Sequence, residues 1–206
     1  MRRITGLGLA LLLVLGACSS KSKDPSDGSS TTADDSNGLT FFQDSPPWGL
    51  ADRQADRIAR AGLPLLTAEG THVHFHDHLD VFDNGDAVTV PAGVGIDFDK
   101  RVISPLHTHF NSGVIHVESE TNEDVTLGQF LTEWGLRVTD NCIGNVCGTD
   151  KIALYVNGTK DTADPRDYVL KGDEELALIL GTPPASIPKG YSCVNPNDAC
   201  PNTPAP

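Results

Sequence analysis

The sequence predicts an α+β domain made mostly of antiparallel β-hairpins, with one short helix packed on the sheet. Three observations predict it. Thr71 to Phe82 is rich in β-formers and alternates, and Asp83-Asn84-Gly85-Asp86 then supplies the Asn-Gly pair of a two-residue type I′ turn. Thr126-Leu127-Gly128-Gln129 has the form of a capping box, with Leu127, Phe130, Leu131 and Trp134 following at helical spacing until Gly135. Ile152 to Val156, ending at Asn157-Gly158, and Glu175 to Leu180 read as two further strands.

From the N-terminus, Arg2 and Arg3 precede an apolar run from Leu7 to Leu15, too short for a membrane span and suited to an export signal over residues 1–18. Its end, Leu15-Gly16-Ala17-Cys18, resembles the lipobox of bacterial lipoproteins. That resemblance implies cleavage before Cys18, a lipid on its sulfur, and anchoring in the cell envelope on the extracytoplasmic side of a bacterial membrane. The partner it implies is the membrane itself. Residues 19–47 begin with Ser, Thr, Asp, Lys and Gly, which cannot bury enough apolar surface to offset ordering, so this segment is expected to be a flexible linker. Residues 48–65 predict a short helix with Leu50, Ile58, Ala59 and Ala61 among Arg and Asp, stopped by Gly62 and Pro64.

The body is expected over residues 66–182. In its first hairpin Asp83 should oppose Asp86, Val81 Val88, and Leu79 Val90, which places Val73, Phe75, Leu79, Val81, Val88 and Val90 on the core side. A second hairpin from Pro105 to Ser119, turning through Asn111-Ser112-Gly113, sends Ile115 and Val117 to the core and sets His107 opposite His116. Residues 183–206 are proline-rich and predict an extended tail pinned by a disulfide. Within 126–181, the order helix, strand ending in Val156-Asn157-Gly158, then Leu170-Lys171-Gly172-Asp173-Glu174 before a last strand is similar to the β-grasp pattern of small sulfur-carrier proteins. The resemblance implies a β-grasp-like fold and not the sulfur chemistry, because Gly181 continues into Thr182-Pro183-Pro184 where the carriers end on Gly-Gly. Through Gly70 to Phe82, Pro105 to Ser119 and Thr126 to Gly135 the body also resembles an uncharacterised family of exported His-rich bacterial domains, a likeness that implies no activity.

Charge narrows the partners. With 15 Lys plus Arg against 28 Asp plus Glu and a net charge of −13, the chain repels phosphate backbones, which argues against nucleic acid. Met1 is its single methionine, so no thioether remains after cleavage to hold copper(I). Besides Cys18, Cys142, Cys147, Cys193 and Cys200 form an even set suited to disulfides in an exported protein; the two local pairings are favoured. Their C-x4-C and C-x6-C spacings fit a four-thiolate zinc site poorly.

All seven histidines lie between residues 72 and 116. His72, His74, His76 and His78 share one strand face by alternation, opposite the apolar set, and His107, His109, His116 and Glu118 cluster on the second hairpin. Facing imidazoles across a ladder have Cβ atoms about 5 Å apart, close enough to share one cation. The pattern predicts a divalent metal ion, zinc or copper(II), held by these residues and completed by Glu118, Asp77 or Asp80. Catalytic residues are not assigned: no nucleophile elbow, phosphate loop or His-Glu-x-x-His element occurs. His107-Thr108-His109 with His116 and Glu118 resembles the cupin three-His, one-Glu set, but the order and spacing of the last two differ. The function expected is metal buffering, sensing or delivery. The alternatives are a non-catalytic interaction module with an envelope protein partner, or a His/Glu metalloenzyme.

Overall fold

The computed structural model describes residues 38–191 and, as backbone, Thr32–Asp34. The export signal, Cys18, Cys193 and Cys200 lie outside the described residues. In chain order the elements are β1 (Thr32–Asp34), β2 (Thr40–Phe42), α1 (Gln54–Arg60), β3 (Val73–Asp83), β4 (Asp86–Val88), β5 (Ile96–Asp97), β6 (Val102–Ile103), β7 (Leu106–His107) and β8 (Val114–Ser119). They continue with α2 (Leu127–Trp134), β9 (Val138–Thr139), β10 (Cys142–Ile143), β11 (Val146–Cys147), β12 (Ile152–Val156), β13 (Thr159–Lys160) and β14 (Glu175–Leu180).

The main sheet has seven strands in the order β13-β12-β14-β3-β8-β7, with β4 folded back on β3. All its pairings are antiparallel except the central one between β14 and β3. The α+β class therefore holds. The first hairpin has the register its turn dictates: Val81 pairs with Val88 and Asp83 with Asp86, across Asn84 and Gly85 with φ of 51° and 93°. On α2, the Thr126 hydroxyl accepts from Gln129 N while the Gln129 side chain accepts from Thr126 N, closing the capping box, and Gly135 ends the helix at φ 103°.

The core forms where the apolar face of this sheet meets α2. Leu79 and Val81 of β3, Ile115 and Val117 of β8, and Leu176, Leu178 and Leu180 of β14 pack with Leu127, Phe130, Leu131 and Trp134. Val90 is buried with them, whereas Val73, Phe75 and Val88 are only partly buried at the margin. Alternation then sends His74, His76 and His78 to the other face.

Two segment boundaries are corrected. The linker expected to reach residue 47 gives way to packed structure at Leu39, which is buried, and Phe42 exchanges backbone hydrogen bonds with Gly135 and Arg137. Leu39, Phe42 and Trp48 carry the apolar area that the Ser-rich stretch before them lacks, which is why the chain docks there. The helix expected over 48–65 spans only Gln54–Arg60 and belongs to the body, burying Ala55 and Ile58, with Asp97 accepting from Ala55 N at its first turn. Cys142 and Cys147 form a disulfide across the β10–β11 pair, as an oxidising compartment permits. Among the described residues no helix is long and apolar enough to cross a membrane.

Candidate metal centre

Three strands position the cluster. The β3–β8 register sets His76 opposite His116 and His74 opposite Glu118, and the β7–β8 register sets His107 opposite His116. His76, His116 and His107 thus form one row across three neighbouring strands, with His74 and Glu118 in the next row. The His107–His116 pairing is the one the second hairpin predicts. β7 is short, and the chain beyond it bends so that His109 returns beside His107 with Nε2 atoms 3.2 Å apart. Close backbone approach makes room for this: a Cβ on Gly95 would stand 2.1 Å from the Leu106 carbonyl oxygen and 3.2 Å from His107 Cα, at a φ of 74°.

The rings pack against one another. His107 stacks on His116 at 5.1 Å, while His109 and His76 meet His116 edge-on at 4.6 and 4.4 Å. His116 Nδ1 donates to Glu118 Oε1 at 3.1 Å. The same carboxylate oxygen lies 3.3 Å from His74 Nε2 and 3.9 Å from His76 Nε2, and Oε2 lies 4.0 Å from His107 Nε2. His107, His116 and Glu118 are buried; His74 and His109 form the open rim. Four groups of three side chains bring ligand atoms within 4.8 Å of one another: His107, His109 and His116; His74, His76 and Glu118; Glu69, His107 and Glu118; and His78, Asp80 and Glu175.

Electrostatics prepares the first group for a cation. Burial, then the neighbouring His116, pull the His107 pKa down to about 3, so its ring is neutral at physiological pH. His107 Nδ1 donates to the Ser104 carbonyl at 3.1 Å, which leaves the lone pair on Nε2, facing His109. For Glu118 burial pushes the pKa upward, yet the His116 and His76 side chains beside it outweigh burial, and the carboxyl stays ionised far below its usual range. Imidazole nitrogens around one carboxylate are a donor set that could hold a divalent metal ion.

The remaining sequence-predicted residues fall elsewhere. His72 is exposed ahead of β3 and joins no ligand group among the described residues. His78 is two residues from His76 but meets different neighbours: Nδ1 contacts Glu175 Oε2 and Nε2 the Ser112 carbonyl, both at 2.9 Å, and Tyr191 stacks on the ring at 4.6 Å. A carbonyl only accepts, so Nε2 donates. Burial lowers the His78 pKa, but the hydrogen bond and charge of Glu175 raise it further than burial lowers it. With both nitrogens engaged, this ring is a clamp between β14 and the 108–113 loop. Asp77 is engaged on the other side of the sheet. It lies on the core face and accepts from the backbone N–H groups of Lys171, Gly172 and Glu174 at 3.2, 3.1 and 3.0 Å, pinning the turn into β14. Asp80 belongs to the His78 group, away from the five clustered histidines.

Sequence reasoning missed Glu69, whose Oε1 lies 3.3 Å from His109 Nε2. Its neighbour carries the only available signal: a Cβ on Gly70 would stand 2.4 Å from the Ser119 backbone, so Gly70 lets the chain press against β8 and deliver Glu69 to the rim. It also missed Ser104 and Glu133, which stand behind His107. Comparison with protein-family models, curated proteins and solved structures finds no match to the chain. The site's own geometry therefore carries the functional argument.

Proposed function

We propose that the protein is an extracytoplasmic, membrane-tethered metal-binding lipoprotein that buffers, senses or delivers zinc or copper(II), anchored by a lipid on Cys18. The observation that carries it is the convergence of His107, His109 and His116, two of them buried, within ligand distance of one another. The 3.2 Å between His107 Nε2 and His109 Nε2 is close to the edge of a tetrahedron with metal–nitrogen bonds of 2.0 to 2.1 Å, roughly 3.3 Å. A cation needs only to replace the proton those two nitrogens share. Isothermal titration of the purified chain with zinc and with copper(II) tests this reading; stoichiometric binding is expected. Its absence would leave the envelope interaction module ahead.

The Leu15-Gly16-Ala17-Cys18 pattern and the Cys142–Cys147 disulfide support the envelope location. Cys18→Ala should abolish incorporation of labelled fatty acid, and incorporation at the unmutated level would remove the anchor from this reading. The sheet order supports a β-grasp-like architecture: α2 joins the β3–β8 pair to β12, and the last strand, β14, returns to mid-sheet parallel to the first. The sulfur-carrier chemistry has no place here, since the chain runs on past Gly181.

A further inference from the structure

Resting on the metal-binding reading above, we infer that the site holds two divalent ions rather than one, with the Glu118 carboxylate bridging them. The side chains divide into two triads that share no residue: His107, His109 and His116 on one side, His74, His76 and Glu118 on the other. Each contains one pair at the spacing of adjacent ligands, 3.2 Å between the His107 and His109 nitrogens and 3.3 Å between His74 Nε2 and Glu118 Oε1.

Three observations support the second ion. First, the donors exceed one coordination shell: five imidazoles, Glu118 and the rim carboxylate of Glu69 surround the space, whereas zinc takes about four ligands. Second, the buried Nε2 of His76 has no hydrogen-bond partner among the described residues, and an ion bound only by His107, His109 and His116 leaves it so. A buried polar atom without a partner is costly, and an ion at the second triad relieves it. Third, Glu118 stands between the triads and contacts both: Oε1 lies toward His74 and His76 and also accepts from His116 Nδ1, and Oε2 lies toward His107, which places the carboxylate to bridge two cations. The third ligand group, Glu69, His107 and Glu118, spans the same gap from the rim. Two carboxylates offset half the charge of two divalent ions, and the chain's net charge of −13 favours the remainder.

The experiment is metal stoichiometry on the whole purified chain, by equilibrium dialysis against zinc with elemental analysis, paired with copper(II) paramagnetic resonance. Zinc should saturate at about two equivalents. In the His74→Ala/His76→Ala variant it should saturate at about one, with the affinity of that remaining ion within about threefold; His74→Ala alone, at the exposed rim, should weaken the second equivalent without threatening the fold, which circular dichroism checks. With copper(II), the first equivalent should show an isolated-ion spectrum and the second should broaden and diminish it through coupling across the carboxylate. Saturation at one equivalent would overturn the second ion and leave the proposed function standing. No stoichiometric binding would overturn both. Two equivalents with additive, uncoupled copper spectra would overturn the Glu118 bridge.

Discussion

His76 and His78 lie on the same face of the same strand, two residues apart, and do opposite things. His76 sits at 4.4 Å from His116 and keeps a buried Nε2 without a hydrogen bond among the described residues, while His78 has one nitrogen on Glu175 and the other on the Ser112 carbonyl. Residue type and alternation are identical for the two. What differs is the neighbouring strand: His76 faces β8 at His116, whereas His78 lies at the register of Glu175 on β14. A histidine is open to a cation where a lone pair is left over, and acts as a clamp where both nitrogens have partners.

Metal affinity separates the two rings most clearly. Replacing His107 and His116 together with Ala should lower the affinity for the zinc or copper(II) ion held at their own triad by more than about 100-fold, since losing even an outer partner of a ligand costs about 10- to 100-fold. His78→Gln should change affinity by no more than about threefold and should instead lower stability by about 1 to 3 kcal/mol, because the Glu175 contact and the Ser112 carbonyl lose their shared partner. Calorimetric titration and urea unfolding on both variants separate the roles. A large affinity loss at His78 would mean that the two rings are not distinct.

Asp77, between the two histidines but on the core face, sharpens the contrast between ligand and anchor. Its removal leaves three backbone N–H groups of the turn into β14 without their acceptor, so Asp77→Ala should destabilise by roughly 3 kcal/mol in urea unfolding. The folded fraction should keep its metal stoichiometry. Cys142→Ser with Cys147→Ser removes a short cross-link that belongs to none of the ligand groups and should cost about 2 kcal/mol on chain-entropy grounds, with metal affinity unchanged.

The local features of this fold were legible because each is written within a few residues. Asn84-Gly85 sets a register that needs no tertiary information, the capping box closes over four positions, and His107 opposite His116 follows from one hairpin. The pairing of β3 with β8 and the parallel pairing of β14 with β3 join segments far apart in sequence, and these decide which histidines meet. Alternation alone put all four strand histidines in one stripe and could not divide them. Asp77 reads as a ligand from its histidine neighbours, yet parity places it on the other face, where a turn some 95 residues later uses it. Glu69 lies outside every alternating segment, so only the adjacent Gly70 pointed to it.

The smallest expected effect lies behind the cluster. Glu133 of α2 is fully buried, and its Oε1 accepts from the Ser104 hydroxyl at 2.6 Å, while the carbonyl of the same serine accepts from His107 Nδ1. Burial raises the Glu133 pKa well above the usual carboxylate value, and the Ser104 hydrogen bond only partly opposes it. The folded state therefore holds this proton at pH values where the unfolded chain has released it. Stability from this group is fully present below the unfolded pKa and is lost as pH rises through the raised folded one. Glu133→Gln keeps an oxygen for the Ser104 hydroxyl and removes the titration, so unmutated protein and variant should unfold at similar urea concentrations in mild acid. The variant should then pull ahead as pH rises, a gap measured by urea midpoints in metal-free buffer from about pH 5 to about pH 9. A gap that stays constant across that range would show Glu133 to be ionised in the folded protein. Metal affinity should change little in the same variant, because His107 is oriented by the Ser104 carbonyl and not by the hydroxyl that Glu133 holds.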